Sequence, residues 1–146
     1  MRQSILRYFI SLLLVSLCIC SATSIFIISG SMKEDSEREM MYSVKLIEYN
    51  LDYSKDLNTQ IETLNPLAFS DDTRISVIDE KGKVLADTYK NDISSNHLKR
   101  EEVQQALHSS NHEGYAMRRS ETTNQPLLYA AYYKDNHIIR LSIPYS

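Results

Sequence analysis

The stretch TRISVIDEKGKVLADT, residues 73–88, places Ile75, Val77, Ile78 and Val84 around a polar turn. Enrichment in β-branched residues on both sides of a turn marks strands. Asp79-Glu80-Lys81-Gly82 supplies the turn, with Gly82 free to take the positive φ of a tight hairpin. Two antiparallel strands are therefore expected. Beyond a polar loop over residues 89–98, KREEVQQALH reads as a short helix with Val103, Ala106 and Leu107 on one side. Glu101 and Glu102 suit its first turn, where the helix dipole is positive. Gly114 then opens a stretch in which YAMRRSE, LLYAAYY and HIIRLSI give three more strands, separated by TTNQP and KDN. About five strands with short connections, and helices set to one side, define an α+β domain on an antiparallel sheet.

Working back toward the amino terminus, residues 33–64 contain neither Gly nor Pro and read as one long helix, ended by Asn65-Pro66. Its apolar stripe runs Met40, Val44, Ile47, Leu51, then shifts to Tyr53, Leu57, Ile61 and Leu64. Such stripes pack either on the protein's own sheet or, for the part nearer the amino terminus, on a second copy of the chain.

From Tyr8 to Met32 no side chain is charged, and the most apolar part, Tyr8 to Ile28, is long enough as a helix to span about 30 Å of hydrocarbon. Arg2 and Arg7 precede it and a mixed-sign cluster follows, so the short end is expected inside and everything after Met32 outside. The rival reading is a cleaved signal peptide, but the apolar run continues through Ile25–Ile28, past the small residues Ser21-Ala22-Thr23. This divides the chain into a stub and membrane helix, 1–32, and an outer domain, 33–146. Cys18 and Cys20 both lie in the apolar run, so the outer domain is without disulfides. Of 146 residues, 24% are charged and the net charge is −3, which argues against a disordered tail and against a nucleic-acid partner.

The run RISVIDEKGKVLADT, then NHLKREEVQQAL, EGYAMRRS, QPLLYAAYY and HIIRLSIP resembles the extracytoplasmic PAS-like (PDC or Cache-type) sensor domain of membrane sensor histidine kinases of the PhoR and WalK kind. The DxxGxVLxD turn at Asp79, Gly82, Val84, Leu85 and Asp87 and the segment of Asn96, His97, Leu98, Arg100 and Glu102 carry the likeness most specifically. The resemblance implies a homodimer joined through the long helix, a lipid-embedded anchor, and a small-molecule or protein signal perceived outside. It also implies a second membrane helix, a HAMP linker and a kinase core, none of which has a motif before Ser146, so the chain reads as the input half. No cofactor is implied. The competing functional reading is a single-pass protein whose outer domain is a dimerisation or protein-interaction module; a secreted enzyme is the third.

Candidate ligand-binding residues are His97 and Arg100, at the entrance of the short helix, and Arg118 and Arg140, on strands. The first two equally suit loop hydrogen bonds. A guanidinium fork suits carboxylate or phosphate capture, but Arg118 and its neighbour Arg119 point to opposite faces of a strand, so at most one of them lines a pocket. Asp79, Gly82, Asp87, Asn96 and Glu102 are expected to be structural members of the motif. His108 and His112 have zinc-like spacing but straddle the helix exit at Ser109-Ser110-Asn111, without a third ligand. No catalytic signature is present, and Tyr115, Tyr129, Tyr132 and Tyr133 read as sheet-face residues.

Overall fold

A computed structural model describes residues 2–70, 72–89, 96–119 and 124–145. The elements run α1 (Arg2–Asn50), α2 (Leu57–Leu64), β1 (Arg74–Asp79), β2 (Val84–Asp87), α3 (Glu101–His108), β3 (Glu113–Arg119), β4 (Pro126–Lys134) and β5 (His137–Pro144). The chain divides into two units, Met1–Ser36 and Glu37–Ser146, each taken by itself. In the first, the large apolar side chains between Ile5 and Met32 lie all around the helix and are exposed. A helix apolar on every side is matched to a lipid environment, and this one is long and apolar enough to cross a membrane.

In the second unit the five strands form one antiparallel sheet of order β2-β1-β5-β4-β3. The hairpin turn forms as its residues dictate: Gly82 has φ 83°, and Asp79 Oδ1 accepts the backbone N–H groups of Lys81 and Lys83 at 2.9 and 2.8 Å.

The expected single helix over 33–64 is two helices. α1 stops at Asn50 and α2 starts at Leu57, although no Gly or Pro intervenes. Short polar side chains do the breaking, because they offer the backbone an alternative to the helix ladder. Asp52 accepts from the backbone N–H and hydroxyl of Ser54 at 3.0 and 2.6 Å. The Gln60 amide satisfies both the N–H and the carbonyl of Asp52, and Asp56 caps α2 by accepting the N–H of Thr59 at 2.9 Å. α2 ends at Leu64, followed by a 3-10 turn holding Pro66.

Nor do the helices share one side. Met40, Val44 and Ile47 of α1 and Ile61 of α2, all fully buried, pack on the face carrying Ile75, Val77, Leu128, Ala130, Ile139 and Leu141. Val103 and Ala106 of α3 pack on the opposite face, against Ile78, Val84, Ala131 and Ile138. The stripe at Met40, Val44 and Ile47 is thus spent on the protein's own sheet, and pairing with a second copy through those residues is overturned. Each fully buried Ile contributes on the order of 2 kcal/mol by apolar transfer. What α1 leaves outward in this unit is Tyr42 and Tyr49, with half-buried Leu46 between. Lys45 pairs with Glu113, and Lys134 with Glu48 at 2.9 Å, fastening α1 to the end of the sheet where β3 begins and β4 finishes.

Candidate functional site

The register puts Ser76 opposite both Asp87 and Arg140, Arg140 opposite Ala131, and Ala131 opposite Gly114, so this row points to the α3 side of the sheet. Strands half-covered by a helix ordinarily fill such a face with apolar groups. Here it carries a buried ionic network instead. Arg74 donates from Nε to Asp87 Oδ1 and from Nη2 to Oδ2, both at 2.9 Å. Asp87 also accepts the Ser76 hydroxyl and the Tyr89 N–H at 2.8 Å each. Ser76 in turn accepts from Arg140 Nη2 at 3.1 Å.

On the other side, Glu102 of α3 receives a fork from Arg118, Nη1 to Oε2 at 2.6 Å and Nη2 to Oε1 at 2.9 Å. Arg140 Nη1 lies 3.6 Å from Glu102 Oε1. The Tyr129 ring closes the group, its centroid 3.6 Å from Arg118 Cζ and 5.7 Å from Arg140 Cζ. Two carboxylates and three guanidinium groups therefore meet across four strands and one helix. Gly114 makes the approach of that helix possible: a Cβ there would run into the Glu102 carbonyl and the Ala106 N–H.

Burial works to raise the Glu102 carboxyl, but the Arg118 hydrogen bonds and charge, with Arg140 behind them, outweigh it and hold the group below the ordinary carboxylate range. For Arg118, burial pushes down and Glu102 more than restores it. Arg140 is different. Burial, with like charge from Arg74 and Arg118, pulls it below the usual arginine value, against the opposing pull of Glu102 and Asp87.

Of the residues singled out in the sequence, Arg118 and Arg140 come together around Glu102. Arg119 points the other way and donates to the Asn124 carbonyl at 3.3 Å. His97 is buried, its N–H bonded to the Gly82 carbonyl at 2.7 Å. Arg100 occupies the N-cap of α3 without a side-chain capping bond. The Asn96 amide donates to the Lys81 carbonyl and accepts the Leu98 N–H, both at 2.9 Å, so the two motif segments clasp one another around Gly82. Asp87 and Glu102, expected as motif scaffolding, are the two anions of the network, and Tyr129 is its aromatic wall rather than a plain sheet-face residue. Arg74 and Ser76 had not been singled out. Their signal was available: Arg74, Ser76, Arg140 and Ser142 are polar at period two within otherwise apolar strands.

His108 and His112 do not share a helix face, since α3 ends at His108. Among the described residues no group of three His, Cys, Asp or Glu side chains could hold a metal. A separate open groove of about 460 Å³ is lined by Arg38, Tyr42, Ser43, Ala68 and Phe69.

No protein-family model matches the sequence, and no curated protein matches it. Solved structures share the fold, an α+β architecture like that of PAS-like sensor domains. The Bacillus subtilis YkuI protein with an EAL domain, solved with substrate c-di-GMP and calcium, matches with TM-score 0.55 at 19% identity over 77% of this chain. The ligand-binding domain of the Campylobacter jejuni chemoreceptor Tlp3, in complex with 4-methylisoleucine, matches with TM-score 0.54 at 17% identity over 79% of it. A methyl-accepting chemotaxis protein from Vibrio parahaemolyticus matches with TM-score 0.50 at 20% identity over 80% of this chain and 90% of its own. The chain spans 31% of the first of these and 52% of the second.

Proposed function

We propose that this chain is the extracytoplasmic signal-sensing input region of a membrane sensor histidine kinase, with residues 1–32 as the inner stub and lipid-embedded anchor and 33–146 as the sensing domain. The observation that carries the reading is the buried ionic network between α3 and the sheet. A face stocked with fixed charge is a poor way to stabilise a fold and a good way to recognise a polar ligand. The sharing of this fold with a chemoreceptor's ligand-binding domain supports it. Arg118 and Arg140 are the ligand contacts, with His97 and Arg100 at the rim where the chain enters α3. A ligand acts by preferring one packing of α3 on the sheet over another, and its effect equals its difference in affinity for the two. Homodimerisation then uses the outward residues of α1, Tyr42, Leu46 and Tyr49.

The test is a chimera in which residues 1–146 precede the second membrane helix, HAMP linker and kinase core of a reporter kinase. A compound added outside should change autophosphorylation in the chimera and leave unmoved a chimera carrying Arg140→Met, which keeps the Arg118–Glu102 pair. Constant output across a metabolite library would sink the sensing role. An alkaline phosphatase joined after Ser146 should be active, reporting an outer carboxyl end.

The exposed pair Tyr42 and Tyr49, two turns apart on α1, gives the interaction-module reading its remaining support. Sedimentation of the full chain in detergent, with both changed to Ser, tests that contact, and the response of the chimera to added compounds separates the interaction-module reading from ligand sensing.

A further inference from the structure

We infer that α2, with the connector joining it to α1, is a strap that docks on the sheet and lifts off it while the rest of the sheet domain stays folded. The tie between α1 and β1 is then tight in one state and slack in the other. That this tie affects signalling rests on the input role proposed above; the lifting itself does not. The inner face of α2 carries the argument. Asn58, Ile61 and Asn65 share one side at helical spacing, and of α2 only Ile61 is fully buried. Among the described residues, the Oδ1 atoms of Asn58 and Asn65 are buried with no hydrogen-bond partner, and so is the Tyr53 hydroxyl in the connector. A buried polar atom left unpaired costs about what a buried isoleucine contributes. Docking therefore gains from Ile61 and from half-buried Leu57 and Leu64, and loses at both asparagines.

The helices before and after α2 are held differently. α1 sinks Met40, Val44 and Ile47 and reaches the sheet with ion pairs from Lys45 and Glu48. α3 has eight residues, as α2 has, but it sinks Val103 and Ala106 and is clamped by the Arg118 fork on Glu102. In the strap, side-chain bonds run along its own chain: Gln60 with the backbone of Asp52, the Thr59 N–H to Asp56, the Thr63 hydroxyl to the Thr59 carbonyl. Lifting breaks none of these. What it does break is the stack of the Tyr53 ring on the His137 imidazole at the start of β5, centroids 3.9 Å apart. A segment whose docking is close to balance opens below global unfolding. With the strap up, α1 and β1 are joined by a slack loop, and α1 can shift against the sheet as far as its own contacts permit.

The experiment is hydrogen exchange read by mass spectrometry on the full chain in detergent micelles, corrected for intrinsic rates. A lifted helix of this length is too short to protect its amides. The amides of residues 61–64 should therefore exchange about tenfold faster than those of residues 105–108 in α3. Asn58→Leu with Asn65→Leu removes both unpaired oxygens at nearly constant volume, and should slow the α2 amides about tenfold while leaving α3 and β5 unchanged. Ile61→Ala should speed the α2 amides alone. If Asn65→Leu disturbs the turn at Pro66, Asn58→Leu by itself should still slow α2.

Exchange of α2 at the pace of α3 overturns the strap. So does acceleration of β5 together with α2 in Ile61→Ala, or no slowing in either Leu variant. In the chimera without added compound, the Leu pair and Ile61→Ala should move autophosphorylation in opposite directions; equal output from the two overturns the part played by the tie in signalling. A chimera that follows the strap variants but ignores every compound removes the ligand reading and supports the strap.

Discussion

Removing Arg118 should be among the most damaging single changes to the sheet domain. The Glu102 side chain is 0% exposed and that of Arg118 27%. In Arg118→Met the buried carboxylate keeps only Arg140, at 3.6 Å. Breaking one side of a buried pair costs roughly 3–5 kcal/mol, and the partial exposure of Arg118 sets the expectation at the lower end, about 3 kcal/mol. For a unit of this size about 4 °C accompanies each kcal/mol, so the midpoint should fall by about 12 °C. Glu102→Leu strands Arg118 instead, at a smaller cost, because that side chain can reach water. The double variant removes both charges and should recover most of the loss, giving a coupling of about 2 kcal/mol. The chain has ten Tyr and no Trp, so near-ultraviolet tyrosine dichroism follows the melt of the full chain in detergent. Single losses below about 1 kcal/mol that simply add would refute the claim that the pair is buried and mutually dependent.

Acid should attack the same pair. Because the folded pKa of Glu102 is depressed, its contribution is complete above the ordinary carboxylate range, from about pH 5 upward, and is lost as pH falls through the lowered value. Glu102→Gln should lower the midpoint near neutrality and flatten its decline with acid. Gly114→Ala should cost about 1–3 kcal/mol by pushing α3 off β3, visible as faster amide exchange in residues 101–108, since the added methyl meets helix backbone. Asp56→Ala should cost about 1 kcal/mol through loss of the α2 cap, in the same melt. If the outward face of α1 joins two copies, Tyr42→Cys and Tyr49→Cys should cross-link in membranes under mild oxidation and Lys33→Cys/Tyr42→Ser should not do so more efficiently.

All five strands, the hairpin turn at Gly82 and the helix at 101–108 follow from local pattern, because β-branched runs, turn residues and a helical stripe each act within a few residues. The break between α1 and α2 was harder to see. Its only trace was the change in stripe phase from Leu51 to Tyr53, since Asp52 and Asp56 end and begin helices through side-chain bonds that ordinary composition conceals. The two-sided covering of the sheet, against the expectation of helices on one side, has its signal in residues such as Ile78 beside Val77 and Ala131 beside Ala130, where adjacent strand positions are both apolar. For the candidate site, Arg118 and Arg140 could be named from type alone. Their anions could not, because Glu102 looks like an ordinary first-turn acid until Gly114 lets its helix descend onto the sheet. Asp87 likewise looks like a turn residue until β1–β2 pairing puts Ser76 across from it and Arg74 two positions along the same face.

β5 comes after the other four strands of this sheet and stands at its centre, between β1 and β4, with Arg74 facing Ser142 and Ile139 facing Tyr132. A ribosome that has released only the first 136 residues has made two hairpin-sized pieces, β1 with β2 and β3 with β4, that share no edge. Each exposes an unsatisfied backbone border ready to stick to a neighbour. Closure of this sheet therefore waits on β5, and the pieces made before it are the ones most open to wrong pairing.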